Sequence, residues 1–175
     1  MPNDMTLPRR AVVAGLVAGA ALAALPFPAL ALSADQAKTL VDKTVADING
    51  IISSGKGEGA MLKDFEKLFS RYADVPTIAQ SVLGPAARQA TKGQLSAYTK
   101  VFQGYISRKY GRRFREFIGG RIEVADARPV KSYYEVISVA HLKGQAPFDV
   151  RWHVSDKSGR NLFFNIIIEG VNMLA

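Results

Sequence analysis

At Arg121 the hydrophobic pattern of this chain changes period, and that change limits the folds open to it. Before it, apolar residues recur three and four apart; after it, they alternate with polar ones. Ala37, Leu40, Val41, Val45, Ile48, Ile51 and Ile52 trace a first helix, opened by Ser33 with Gln36 at the spacing of a capping box. Met61, Leu62, Phe65, Leu68, Phe69 and Tyr72 trace a second. Pro76, in an early helical position, starts a short third helix that Gly84-Pro85 ends. Thr91 and Gln94 repeat the capping-box spacing ahead of a long helix to about Ile118, with a bend expected at Gly104 or Gly111. Downstream, Ile122–Asp126, Ser132–Leu142, Phe148–Val154 and Leu162–Ile168 read as strands, the last two joined by a turn at Asp156-Lys-Ser-Gly159. Helices first and a strand meander second make an α+β fold. The expected architecture is a curved antiparallel sheet of about four strands, covered on one face by amphipathic helices and able to enclose an apolar pocket.

Residues 1–31 read as an export signal rather than as part of this domain. Arg9-Arg10 precede an uncharged apolar run from Ala11 to Leu25, and Ala29-Leu30-Ala31 supplies a small-x-small cleavage site. Paired arginines before a weakly apolar Ala/Gly-rich stretch suggest the twin-arginine kind. The alternative is an uncleaved membrane anchor, since Ala11–Leu32 is long enough to span a bilayer; Pro26 and Pro28 favour cleavage. The mature chain is then residues 32–175, one domain in a bacterial periplasm. It has no cysteine, which excludes disulfides, thiolate metal sites and a cysteine nucleophile. Cleavage removes two arginines and one aspartate, so the charge of +8 falls only to about +7. The basic character belongs to the domain, and in a periplasm it faces anionic lipid head groups and acidic protein surfaces.

Three segments carry a resemblance. Phe69-Ser-Arg-Tyr-Ala-Asp-Val-Pro-Thr-Ile-Ala-Gln-Ser-Val-Leu-Gly84, Phe102-Gln-Gly-Tyr-Ile-Ser-Arg-Lys-Tyr110 and Ile166-Ile-Ile-Glu-Gly-Val171 resemble the MlaC/toluene-tolerance family in order and spacing. The resemblance implies a periplasmic shuttle that carries phospholipid between outer-membrane and inner-membrane complexes; a related branch is associated with hopanoid biosynthesis. Its partners would be an inner-membrane ABC transporter complex and an outer-membrane lipoprotein complex. This chain departs from the family at Asn161, Asn165 and Asn172, where Trp, Asp and Ser are common. It stops at Ala175 where the family continues into a further helix, so either the sequence is truncated or the branch is short.

A lipid carrier's chemistry follows without the family. Two acyl chains present roughly thirty methylenes, and at about 0.8 kcal/mol each their burial is worth tens of kcal/mol. A carrier therefore needs an apolar cavity and no catalytic residue. Candidate pocket residues are Phe102, Tyr105 and Ile106 on the long helix, with Val136, Phe148, Val150, Trp152, Val154, Phe164, Ile166 and Ile168 on the strands. The plainer alternative is that the same residues meet and close an ordinary core. Arg108, Lys109, Arg112, Arg113 and Arg115 form a basic cluster expected on the wet side of the helix. It reads as a solvated face suited to a helix C-terminus or as a docking patch for anionic lipid or an acidic membrane partner.

Other functions find less support. A pI near 9.8 would suit nucleic acid, but the export signal opposes it and no base-reading or phosphate-loop motif is present. His141 and His153, without nearby Cys or a carboxylate at ligand spacing, do not make a metal site. Of the strand carboxylates Asp126, Glu135, Asp149 and Glu169, Glu169 is the best candidate for proton abstraction in a pocket, and a role holding backbone amides or an arginine suits it better. The expectation is a monomeric periplasmic lipid carrier needing no cofactor, with a cavity-free scaffold protein working through its basic face as the alternative.

Overall fold

The computed structural model describes residues 32–112, 118 and 120–173. The expected export signal lies outside the described residues, as does the stretch 113–117 that the long helix was expected to cross. No helix among the described residues is long and apolar enough to cross a membrane.

Among the described residues four helices precede the sheet: α1 (Ala34–Ile52), α2 (Glu58–Tyr72), α3 (Val75–Leu83) and α4 (Lys92–Gly111), with a 3-10 segment at Gly84–Arg88. Both expected capping boxes form. The Ser33 hydroxyl accepts from the Gln36 N–H at 3.2 Å, and the Gln36 side chain accepts from the Ser33 N–H at 3.0 Å. Thr91 and Gln94 repeat this at 3.3 and 2.9 Å. Each such cap contributes about 1 kcal/mol.

Five antiparallel strands follow, β1 (Arg121–Val130), β2 (Tyr133–His141), β3 (Phe148–Ser155), β4 (Leu162–Ile168) and β5 (Val171–Asn172), paired in chain order as an open meander. β1 is twice the length expected. Its second half contains Pro129, which is tolerated because β1 is an edge strand. A bulge between Val124 and Asp126 restores its pairing with β2. The fifth strand, beyond the roughly four expected, is two residues long and returns from β4 through Glu169-Gly170. Both of these have positive φ, 48° and 79°, the pattern of a tight two-residue hairpin turn. At the other hairpin Gly159 takes φ 82°, as the sequence required, and its N–H reaches the Asp156 carbonyl at 2.8 Å.

A second bulge shapes the interior. His153 opposes Asn165 and Val154 opposes Phe163, so Phe164 has no partner in β3. Side chains alternate along a strand, and the extra residue lets Phe163 and Ile166, three apart, oppose the inward Val154 and Trp152. Phe164 goes to the outer face instead. β4 is therefore buried at Leu162, Phe163 and Asn165 and half-buried elsewhere, rather than covered throughout.

The helices cover the inner face of the sheet. α1 lies across β1, β2 and β3, while α4 packs on α2 and α3. Val41, Val45 and Ile48 of α1 join Val136, Ala140, Val150, Trp152 and Val154 in one core. The Trp152 Nε1–H donates to Ser138 Oγ at 2.9 Å, whose hydroxyl donates to the Val150 carbonyl at 3.0 Å. Asp74, buried at the α2–α3 junction, caps α3 by accepting from the Thr77 N–H at 3.2 Å. Its own N–H donates to the Phe163 carbonyl at 2.8 Å. The Asp74-Val-Pro segment thus ties the helical layer to β4.

Candidate functional site

A half-enclosed hollow of about 130 Å³ lies between the helices and the β4 side of the sheet. Thr44 and Ile48 come from α1, Phe65, Leu68 and Phe69 from α2, and Ile78 from α3. Ile106, Ser107, Tyr110 and Gly111 come from α4, and Trp152 from β3. Phe163, Asn165, Ile166 and Ile168 of β4, with Met173 beyond β5, complete the wall. Trp152 and Phe163 meet edge to face with centroids 5.4 Å apart, and Phe69 stands 6.2 Å from Phe163. At Gly111 a Cβ would lie 2.6 Å from Leu62 Cδ2, so glycine lets α2 and α4 close one end of the wall. Among the described residues, no aspartate, glutamate, lysine, arginine or histidine lines it.

Of the eleven pocket residues expected from sequence, Ile106, Trp152, Ile166 and Ile168 stand in this wall. The other seven do not. Phe102, Val136, Val150 and Val154 are buried in the packed core, where neighbouring side chains fill the space around them. Phe148 is a half-buried residue at the start of β3, packed against that core. Phe164 was displaced outward by the bulge and meets Tyr133 at 5.4 Å. Tyr105 is 52 % exposed: at roughly 3.6 residues per turn it falls on the outward arc of α4 with Val101, Arg108 and Arg112. Sequence reasoning missed the α2 contribution, although Phe65, Leu68 and Phe69 form an apolar stripe, and it missed Ser107. The available signal was a serine inside the buried arc that Phe102, Ile106 and Tyr110 define.

Arg108, Lys109 and Arg112 are exposed on α4, as the helical phase required. Lys109 Nζ lies over the rings of Tyr105 and Tyr110, at 5.8 and 5.5 Å, and Arg112 Nε stands 3.5 Å from Glu58. Arg113 and Arg115 fall outside the described residues. Val101, 69 % exposed, extends the same arc.

The outer face of the sheet carries a separate polar cluster. Glu135, buried, accepts from Arg128 Nε at 2.9 Å and lies 3.5 Å from His153 Nε2. Tyr133 packs on the imidazole with centroids 4.6 Å apart. Burial holds the His153 pKa below its ordinary value, with Glu135 pulling the other way. His141 instead faces Glu123 at 3.3 Å, at the far end of β2. Among the described residues no group of His, Asp and Glu could hold a metal ion. Glu169 is exposed in the β4–β5 turn, away from the hollow.

These features define a class: an α+β domain whose open sheet and helical cover leave an apolar hollow between them. The chain belongs to the MlaC family, matching the family described as MlaC protein over residues 38–175. Its fold is similar to that of a phospholipid-binding protein from Ralstonia solanacearum solved in complex with a phospholipid. The TM-score is 0.68 at 19 % identity, over 79 % of this chain and 80 % of that one. No curated protein matches the sequence.

Proposed function

We propose that this protein is a periplasmic carrier that takes phospholipid acyl chains into the hollow and moves lipid between outer-membrane and inner-membrane complexes. The observation that carries this reading is the half-enclosed apolar hollow in a chain of the MlaC family. The Ralstonia protein of similar fold holds a phospholipid, and the leader-like residues 1–31 are consistent with export. A volume of about 130 Å³ is close to that of an engineered cavity of roughly 150 Å³ that holds one benzene. Loading a diacyl lipid therefore parts the walls. α4 is the wall suited to yield, because it packs chiefly on α2 and α3 rather than on the sheet. The exposed arc of α4, where Val101 and Tyr105 run into Arg108, Lys109 and Arg112, is the docking surface for anionic head groups or an acidic membrane partner.

Native mass spectrometry of the protein purified from a periplasm tests the reading. A co-purifying phospholipid supports it; a protein that is always free of lipid, and takes none up from vesicles, contradicts it. Reversing Arg108 and Arg112 to Glu should leave the fold intact and weaken association with anionic vesicles at low salt at least tenfold. Unchanged association would remove the docking role of α4.

A further inference from the structure

Among the described residues, every polar side chain in the wall of the hollow has at least one hydrogen-bond partner within the protein, except one. Thr44 Oγ1 donates to the Leu40 carbonyl at 2.8 Å, and Trp152 Nε1–H to Ser138 Oγ at 2.9 Å. Tyr110 Oη donates to the Met173 carbonyl at 3.3 Å, and Asn165 Oδ1 accepts from the Ile166 N–H at 2.9 Å. Ser107 is 5 % exposed, and its Oγ is the one buried side-chain oxygen or nitrogen among the described residues without a partner.

A helical serine has an easy remedy for this, because its hydroxyl can bond the carbonyl one turn back. Ser70, Ser81 and Thr99 all do so, at 2.9, 2.8 and 2.7 Å. Ser107 does not. A buried water would need two or more polar partners, and the donors of Thr44, Tyr110 and Trp152 are already used within the protein, so the wall around Ser107 offers few groups to hold one. A hydroxyl left unpaired in an apolar wall is unfavourable in the empty state and is relieved by any ligand that brings an acceptor to it.

We infer that Ser107 Oγ donates a hydrogen bond to the ester carbonyl of a bound acyl lipid, and so selects ester-linked lipid over wholly hydrocarbon ligands. The inference rests on the carrier reading above and names the chemical class of its cargo. An ester carbonyl is the first acceptor along an acyl chain, and it enters the hollow with the methylenes next to it. A pentacyclic hydrocarbon offers no acceptor and leaves the hydroxyl unpaired. The site thus discriminates on one atom.

The test compares diacyl phosphatidylglycerol with its dialkyl ether analogue of equal chain length, competing for the protein in native mass spectrometry. The ether analogue keeps the head group and the chains and lacks only the carbonyls. The expected result is a preference of about fivefold for the ester lipid, the usual effect of one neutral hydrogen bond. Ser107→Ala, a substitution that favours helix and adds no bulk, should bring the ratio to one. Equal binding of the two lipids to the unaltered protein overturns the inference while leaving the carrier reading intact. A preference that persists in Ser107→Ala also overturns it. Failure of both lipids to bind overturns the carrier reading itself.

Discussion

The apolar interior has two halves, and only one of them is filled. Beneath α1, Val41, Val136 and Val154 are all 0 % exposed, and Ala37 and Ala140 present so little bulk that the helix settles directly on β1–β3. Towards β4, Ile106, Ile166 and Ile168 stay half-buried, and larger side chains such as Phe69, Tyr110, Trp152 and Met173 ring a space they do not occupy. What separates the halves is how close a helix comes to the sheet: α1 rests on it, whereas α4 is supported by α2 and α3. Interiors normally pack to crystal density, and the hollow is the departure from that.

The two halves should respond differently to substitution. The largest contrast is expected on a single helix. Phe102→Ala removes a packed ring stacked on Tyr98 and should lower the unfolding free energy in urea by about 3–5 kcal/mol. Ile106→Ala, one turn on and facing the hollow, should cost less than half as much, because part of its surface has no neighbour to lose. Equal losses would erase the distinction between the halves.

A smaller contrast comes from adding bulk. Val136→Phe overpacks the filled half and should cost about 1–3 kcal/mol in the same measurement. Ile168→Phe should be tolerated to within about 1 kcal/mol and should lower phospholipid binding severalfold by occupying the hollow. Reduced binding without reduced stability is the signature to look for.

The smallest effect should be a pH dependence confined to the outer face. The folded state holds the His153 pKa below the unfolded value near 6.5, so below that pH the unfolded chain binds the proton more readily. Stability should therefore decline as pH falls from 7.5 to 5, and His153→Gln should flatten that decline in thermal melts. Glu135 and Arg128 face the imidazole and remain in that variant. Lipid binding should be flat from pH 6.5 to 8, since among the described residues no carboxylate, amine, guanidinium or imidazole lines the hollow.

Much of the fold was legible in the sequence. The two capping boxes, the glycine hairpin turn and the alternation of β3 were local signals, and local chemistry decided them. The second half of β1 was not legible, because the edge position that admits Pro129 is set by the sheet and not by the strand's own residues. The site was legible only in part, through Ile106, Trp152, Ile166 and Ile168. Phe164 was misplaced because a bulge shifts alternation by one residue, and nothing in Leu162–Ile168 announces it. Val136, Val150 and Val154 were assigned to the pocket because composition does not distinguish a valine beside a gap from a valine beneath a helix. The Glu169-Gly170 pair, read as a possible chemical group, is a turn. Asp74, read as part of a motif, is a helix cap that also holds β4.

Trp152 is the protein's single tryptophan and stands in the wall of the hollow, which gives the central claim a direct optical test. Phospholipid brominated along its acyl chains should quench Trp152 fluorescence on binding, while the same lipid without bromine should not. Binding of the brominated lipid with the Trp152 emission left intact would contradict the account, for the acyl chains would then lie somewhere other than the hollow.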